Sequence, residues 1–213
     1  MRMSRGAHPI DRESSRYCVR VLTPADAEEY RAIRLGALQE LPSVFGMTPD
    51  QEPALPEIKG RLAENSRHRY FGSLEEDRLV GVVRLSRYEA PNKKHRAYIG
   101  GLYVLPSHRS RGYGRALMEA ALNAAAGDPS VRRINLSVVT THHSAIALYQ
   151  ALGFVIYGIE KEAFSDGGQF HDECLMTYLV PHGGAPADLR TICCAAGQEH
   201  PSGVSPARKP NAL

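Results

Sequence analysis

The stretch Leu102-Tyr103-Val104-Leu105-Pro106, followed by Arg109-Ser110-Arg111-Gly112-Tyr113-Gly114 and then Arg115-Ala116-Leu117-Met118-Glu119-Ala120-Ala121-Leu122, carries the decisive pattern. An apolar strand stops at a proline, a polar turn holds two glycines at alternate positions, and a helix opens at once. At 3.6 residues per turn, Leu117, Met118, Ala121 and Leu122 fall on one buried face. The glycines leave no Cβ between the backbone and an approaching ligand. The first-turn amides lack intrahelical partners and sit at the positive end of the helix dipole. Arg109, Arg111 and Arg115 add charge beside them, and amides plus guanidiniums fit a diphosphate. The plainer alternative is a glycine turn that only begins a helix.

Two other diphosphate readers are excluded. A dinucleotide fold calls for G-x-G-x-x-G and an acid about 20 residues on, at the end of the next strand. Here only G-x-G is present, and the next strand, 134–139, runs into Thr140 and Thr141 without an acid. A nucleoside triphosphate loop needs Gly-Lys-Ser/Thr, and no such triplet occurs.

Outward from the turn, elements alternate. On the far side come the strand 134–139, a short helix 144–152 closed by Gly153, and strands 154–163 and 172–179 joined across 165–168. On the near side, 17–22 reads as a first strand. Thr23-Pro24-Ala25-Asp26 begins a helix with a capping residue, Pro at its first position and an acid in its first turn. That helix places Tyr30, Ile33, Ala37 and Leu38 on one face. A second helix is expected over 55–64, then a hairpin of strands 69–74 and 79–88 around Glu75-Glu76-Asp77-Arg78, then the strand 97–104. Hairpins flanking a central strand–helix–strand unit predict an α+β, layered α/β arrangement on a mixed, mostly antiparallel central sheet of about six to seven strands.

The chain has 213 residues, enough for one well-filled core. Residues 1–16 are expected to form a mobile N-terminal arm, 17–180 the domain, and 181–213 a disordered tail too poor in large apolar residues to order itself. No apolar run nears the roughly 18 residues that span a bilayer, and no secretory leader is evident, so a cytoplasmic protein without membrane contact is expected. The net charge of +3 suits small anions and argues against nucleic acid, for which only Arg208 and Lys209 in the tail speak. Cys18, Cys174, Cys193 and Cys194 make no CxxC pair or zinc spacing, and His142-His143 lacks helical ligand spacing, so no metal is expected.

Two segments together carry a family resemblance. Leu102 to Pro106 with Arg109-x-x-Gly112-x-Gly114, and then Ala145-Ile146-Ala147-Leu148-Tyr149-Gln150-Ala151-Leu152-Gly153-Phe154, resemble the two signature segments of the GNAT superfamily of N-acetyltransferases. The resemblance covers roughly residues 17–180, and the closing stretch from Tyr157 to Met176 also resembles the end of that domain. It implies the acyl-CoA N-acyltransferase fold, with a splayed parallel pair of strands and acetyl-CoA, as cosubstrate, lying in the gap. It implies that Leu102, Tyr103 and Val104 hold the pantetheine arm, and that Arg109, Ser110, Arg111, Gly112, Tyr113, Gly114 and Arg115 hold the diphosphate. Tyr149 matches the general acid of the family, where the residues alone suggest a core aromatic beside Ala145, Leu148 and Leu152. His142 stands where many members have an Asn touching the cofactor arm, so it is a cofactor contact or a base.

One departure bears on the proton. Many members carry a Glu near the start of the central strand, but Ala97-Tyr98-Ile99-Gly100-Gly101 offers no acid. An ammonium of pKa near ~10 must lose a proton before it attacks. His142, His143, Glu160, Glu173 or a water relay remain as bases. The implied activity is direct acetyl transfer from acetyl-CoA to a primary amine of a small molecule or protein, by a monomer or homodimer. The alternative is a non-catalytic acyl-CoA-binding or sensing domain. Asp50, Glu52 and Glu57 near the acceptor side could attract a cationic amine or form a solvated face.

Overall fold

A computed structural model describes residues 18–45, 47–63 and 67–181. The expected arm, Tyr17, Glu64, and the tail with Cys193, Cys194, Arg208 and Lys209 lie outside the described residues. The strands are β1 (Cys18–Val21), β2 (His68–Glu75), β3 (Arg78–Arg87), β4 (Arg96–Val104), β5 (Arg133–Val139), β6 (Val155–Asp166) and β7 (Gln169–Leu179). The helices are α1 (Ala27–Glu40), α2 (Pro42–Phe45), α3 (Leu55–Leu62), α4 (Tyr113–Ala126) and α5 (His143–Ala151). The strands form one seven-stranded sheet in the order β1-β2-β3-β4-β5-β7-β6, antiparallel throughout except for β4 against β5. The mixed α+β layering expected from the sequence is borne out.

Several boundaries moved. The last hairpin turns on Gly167 and Gly168, both at positive φ, so β6 and β7 run further than 154–163 and 172–179. The first hairpin likewise turns on Glu76 and Asp77 alone. Helix α3 ends at Leu62, and α2 was not foreseen; four residues starting at a proline show no periodicity to read.

Each face of the sheet buries its own core. Helix α4 presses Leu117, Met118, Ala121 and Ala125 onto Val83, Ile99, Ile134 and Leu136. Leu122, expected in that stripe, is only half-buried, because the i, i+4, i+8 row through Leu117, Ala121 and Ala125 meets the sheet. The other face packs Ile33 and Ala37 of α1 and Ile58 of α3 against Tyr70, Val82 and Tyr103. A side chain of this size, fully buried, contributes about 1.5–3 kcal/mol through apolar transfer.

The sheet is interrupted at its centre. Strands β4 and β5 pair only through Arg96–Arg133, Ala97–Ile134 and Tyr98–Asn135. Beyond Tyr98, β4 has no ladder partner on that side, while β5 stays paired with β7 to its end. On its other side β4 shifts register against β3 between Val82 and Arg84, and there Gly101 takes φ +67°. An extra residue in a left-handed conformation bends a strand and increases its twist, which directs β4 away from β5.

Candidate active site at the strand splay

The gap between β4 and β5 opens into a cleft of about 440 Å³. Its walls are Leu102, Tyr103 and Val104 of β4, the turn residues Arg109, Ser110, Gly112, Gly114 and Arg115, and His142, Ala145, Leu148 and Tyr149 at α5. Phe45 of α2 and Leu41 close one end. Most of the residues expected from the sequence therefore meet at one place. Arg111 and Tyr113 do not line the cleft.

The turn has the geometry the sequence implied. Ser110 takes φ +58° and Gly112, the cap of α4, takes φ +92° with ψ −10°. No side chain caps α4. The first helical bond runs from the Ala116 amide to the Gly112 carbonyl, leaving the amides of Gly114 and Arg115 without partners among the described residues. A Cβ on Gly114 would come to 3.6 Å from Leu148 Cδ2 and 3.8 Å from Val104 Cγ2, filling the narrow space between α4, α5 and β4. This cradle fits an anionic group on an extended arm reaching along β4.

The arginines differ from expectation, because each already has a carboxylate. Arg109 donates to Glu40 through both terminal nitrogens, at 2.6 and 2.8 Å, and through Nε to the Val104 carbonyl at 3.0 Å. Its guanidinium also lies over the Tyr103 ring, whose hydroxyl donates to Glu40 at 2.6 Å. The hydrogen bonds from Arg109 and then from Tyr103 hold the Glu40 carboxyl below its usual range. Burial, then the bond to Glu40, pushes the Tyr103 phenol up to about 12. Arg111 pairs with Glu75 at 2.6 Å, and Arg115 with Glu119 at 3.1 Å one helical turn on. The Tyr113 ring is buried, and its hydroxyl donates to Glu75. The turn is thus braced by Glu40 of α1 and Glu75 of β2, two acids that sequence spacing could not associate with it, being 69 and 36 residues away. With each of the three guanidiniums paired to a carboxylate, the amides of Gly114 and Arg115 remain as backbone donors without partners among the described residues.

Tyr149 lies on α5 with its ring near Phe154, and it is 8% exposed. Burial, and then Tyr98, raises its pKa well above that of free phenol. Tyr149 lines the cleft, and its hydroxyl makes no hydrogen bond within the described residues. His142 is the half-buried residue capping α5, and burial, then Arg109, lowers its pKa below the ordinary imidazole value. His143 and Glu160 are exposed. Glu173 is half-buried and stands opposite both Val139 of β5 and Glu160 of β6. Of the four candidate bases, His142 lines the cleft. Cys174 is buried in the core. No cluster of metal-ligating side chains occurs among the described residues.

Comparison with known proteins agrees with this geometry. Over an aligned 111 residues the chain is 28% identical to spermidine N(1)-acetyltransferase of Vibrio cholerae, covering 52% of this chain and 62% of that protein's length. A GNAT-family acetyltransferase from Streptococcus pneumoniae superposes with a TM-score of 0.70 at 23% identity, over 78% of this chain and 99% of that one. Spermidine N-acetyltransferase from Vibrio cholerae, solved with CoA and spermine, gives a TM-score of 0.66 at 22% identity over 78% and 96%. At these identities the structures speak to the fold alone. The model of the acetyltransferase (GNAT) family matches residues 35–154, which is more than half of the sequence and contains both the glycine turn and Tyr149; the chain belongs to that family.

Proposed function

We propose that the protein is a cytoplasmic, acyl-CoA-dependent N-acetyltransferase that passes an acetyl group directly from acetyl-CoA to a primary amine. The observation that carries this reading is the splay of β4 from β5 at the Gly101 bulge, running straight to the uncapped start of α4. The cosubstrate supplies an acyl group already activated as a thioester. The amides of Gly114 and Arg115 receive its diphosphate, with Arg109 fixed by Glu40 to shape the loop, Arg115 at the rim and Arg111 held back by Glu75. Backbone N–H groups of β4 around Leu102 to Val104, unpaired toward β5, donate to the thioester carbonyl as negative charge grows there. Tyr149, kept protonated by burial, supplies a proton from its hydroxyl to the departing sulfur.

His142 contacts the cofactor arm or takes the proton of the amine, with Glu173 and a water relay as the other routes. Cys174 is buried in the core and does not line the cleft, which supports direct attack over an acyl-enzyme on that thiol. The test is release of free thiol by purified protein given acetyl-CoA and a panel of amines. Amine-dependent release is expected. Micromolar CoA binding without turnover on any amine would overturn the reading in favour of a sensing domain.

A further inference from the structure

The face of the sheet that an acceptor must approach carries α1 and α3, and its charge is unbalanced. On β3, Arg84 stands opposite Tyr70 of β2 and Gly100 of β4, next to the bulge. Its Nε is buried without a hydrogen-bond partner among the described residues, and it makes none of the ion pairs found there. The neighbouring guanidiniums are all engaged. Arg34 meets Glu52 and lies over Phe45, Arg61 meets Glu57, Arg67 meets Glu89, and Arg87 meets Asp128. Arg84 also lines two separate cavities, one of about 130 Å³ toward α1 and one of about 360 Å³ toward Tyr98.

The Nη2 edge of Arg84 and the Nη1 edge of Arg34, the one not turned to Glu52, lie near the two glycines that precede Leu102 on β4. A Cβ on Gly100 would lie 3.6 Å from Arg84 Nη2, and one on Gly101 would lie 4.0 Å from Arg34 Nη1. The smaller cavity contains Arg34, Arg61 and Arg84 against the single carboxylate of Glu52. That carboxylate is 3% exposed and faces Arg34 at 3.5 Å. It is not a solvated lure for a cation. A half-buried guanidinium without a partner is costly to keep unless something occupies its donors.

We infer that Arg84, with Arg34 beside it, binds an anionic group of the acceptor, and that the acceptor is an amine bearing a carboxylate a few bonds from its nitrogen. The inference rests on the acetyl-transfer reading of the cleft and deepens it. A polyamine, which would bring a second ammonium to the same place, fits this wall poorly.

The experiment compares acceptors that differ only in that charge. A free amino acid, the same compound as its carboxamide, a peptide with an N-terminal Asp, and spermidine are each supplied with acetyl-CoA, using wild type and Arg84→Met. Methionine keeps the stem's packing and removes an unpaired charge, so the variant is expected to fold with unchanged CoA binding. In wild type, the acid is expected to exceed the amide and spermidine by tenfold or more in kcat/KM. In the variant that ratio is expected to collapse through KM with kcat nearly kept. The peptide arm decides whether the carboxylate belongs to a free amino acid or to an acidic side chain.

Equal ratios in wild type and variant, or spermidine as the best wild-type acceptor, overturn the inference while leaving acetyl transfer intact. If no compound is acetylated, the transfer reading falls by itself. Calorimetric binding of the amino acid to CoA-loaded protein then decides the charge question. Loss of that binding in Arg84→Met supports the inference, and undiminished binding or no binding in wild type overturns it.

Discussion

At the scale of single residues, two groups in the cleft have their protonation set by burial, and the direction of each shift fixes a pH signature. Tyr149 titrates above the free phenol value, so it stays protonated through neutral and mildly alkaline pH. Tyr149→Phe is expected to lower kcat by about 10²-fold, within the usual range for a lost general acid, with little change in CoA affinity. Steady-state rates across pH check this, and unchanged turnover would remove Tyr149 from the proton path. His142 titrates below ordinary imidazole and is neutral at pH 7. A depressed histidine pKa gives stability that is whole above the unfolded value near ~6.5 and is lost as pH falls through the folded value. If His142 is also the base, kcat/KM falls over that same acidic window. His142→Asn is expected to abolish the acidic limb while keeping CoA binding, and a limb that survives assigns the proton to Glu173 or to water.

At the scale of elements, the bulge and the turn carry the site. Gly101 has room for a methyl group, its nearest foreign atom being 4.0 Å from a built Cβ. Its φ of +67° is therefore the obstacle to Gly101→Ala, at about 1–2 kcal/mol for a left-handed L-residue. Relief of that strain by straightening β4 would close the splay. Gly101→Ala is expected to lose activity well beyond its loss in thermal stability, and parallel melting and rate measurements separate the two. A variant that is strained yet fully active would show that the bulge does not set the splay.

Glu40 makes the complementary case. The Arg109–Glu40 pair is more than a third exposed on the arginine side, so its direct contribution is at most about 1 kcal/mol. What it fixes is the position of the turn, through Arg109 Nε on the Val104 carbonyl. Glu40→Gln is expected to melt within a few degrees of wild type yet bind CoA several-fold more weakly by calorimetry. Unchanged affinity would mean that the turn holds its shape without α1.

These elements also show what a sequence can and cannot disclose. The apolar patterning marked nearly every strand and the glycines marked the turn, because those signals are local, whereas Leu148, Tyr149 and Phe154 pointed to the cofactor side only through the family resemblance. The Gly100-Gly101 pair was visible only as a missing acid. Its use as a bulge depends on the register of β4 against β3, which no single strand encodes. The braces Glu40 and Glu75 depend on contacts 69 and 36 residues apart in sequence, and the setting of Arg84 depends on how β3 pairs with its neighbours; side-chain type alone does not report those. For the same reason, three arginines read as free positive charge proved to be paired.

At the scale of the whole molecule, the splay divides one sheet into two halves. Helices α1 and α3 pack on the β1 to β4 half, α5 leads from β5 into β6, and the halves are joined in the sheet by three residue pairs. Helix α4 packs chiefly on the β1 to β4 half, and its buried residues share a core with Ile134 and Leu136 of β5. A ligand arm threaded between β4 and β5 would satisfy backbone groups that otherwise face a gap, so binding should stabilise the halves against separation. Stabilisation follows RT ln(1 + [L]/Kd), about 2.7 kcal/mol at a hundredfold excess over Kd. For a domain of this size that is a rise of roughly 5–10 °C in Tm. ADP alone would meet the amides at α4 but could not bridge the strands. At matched concentration, CoA is expected to raise Tm clearly more than ADP, with hydrogen exchange slowing at residues 99–104 only for CoA. Equal shifts and equal protection would mean that the arm does not enter the splay, and that the glycine turn binds its anion without help from the divided sheet.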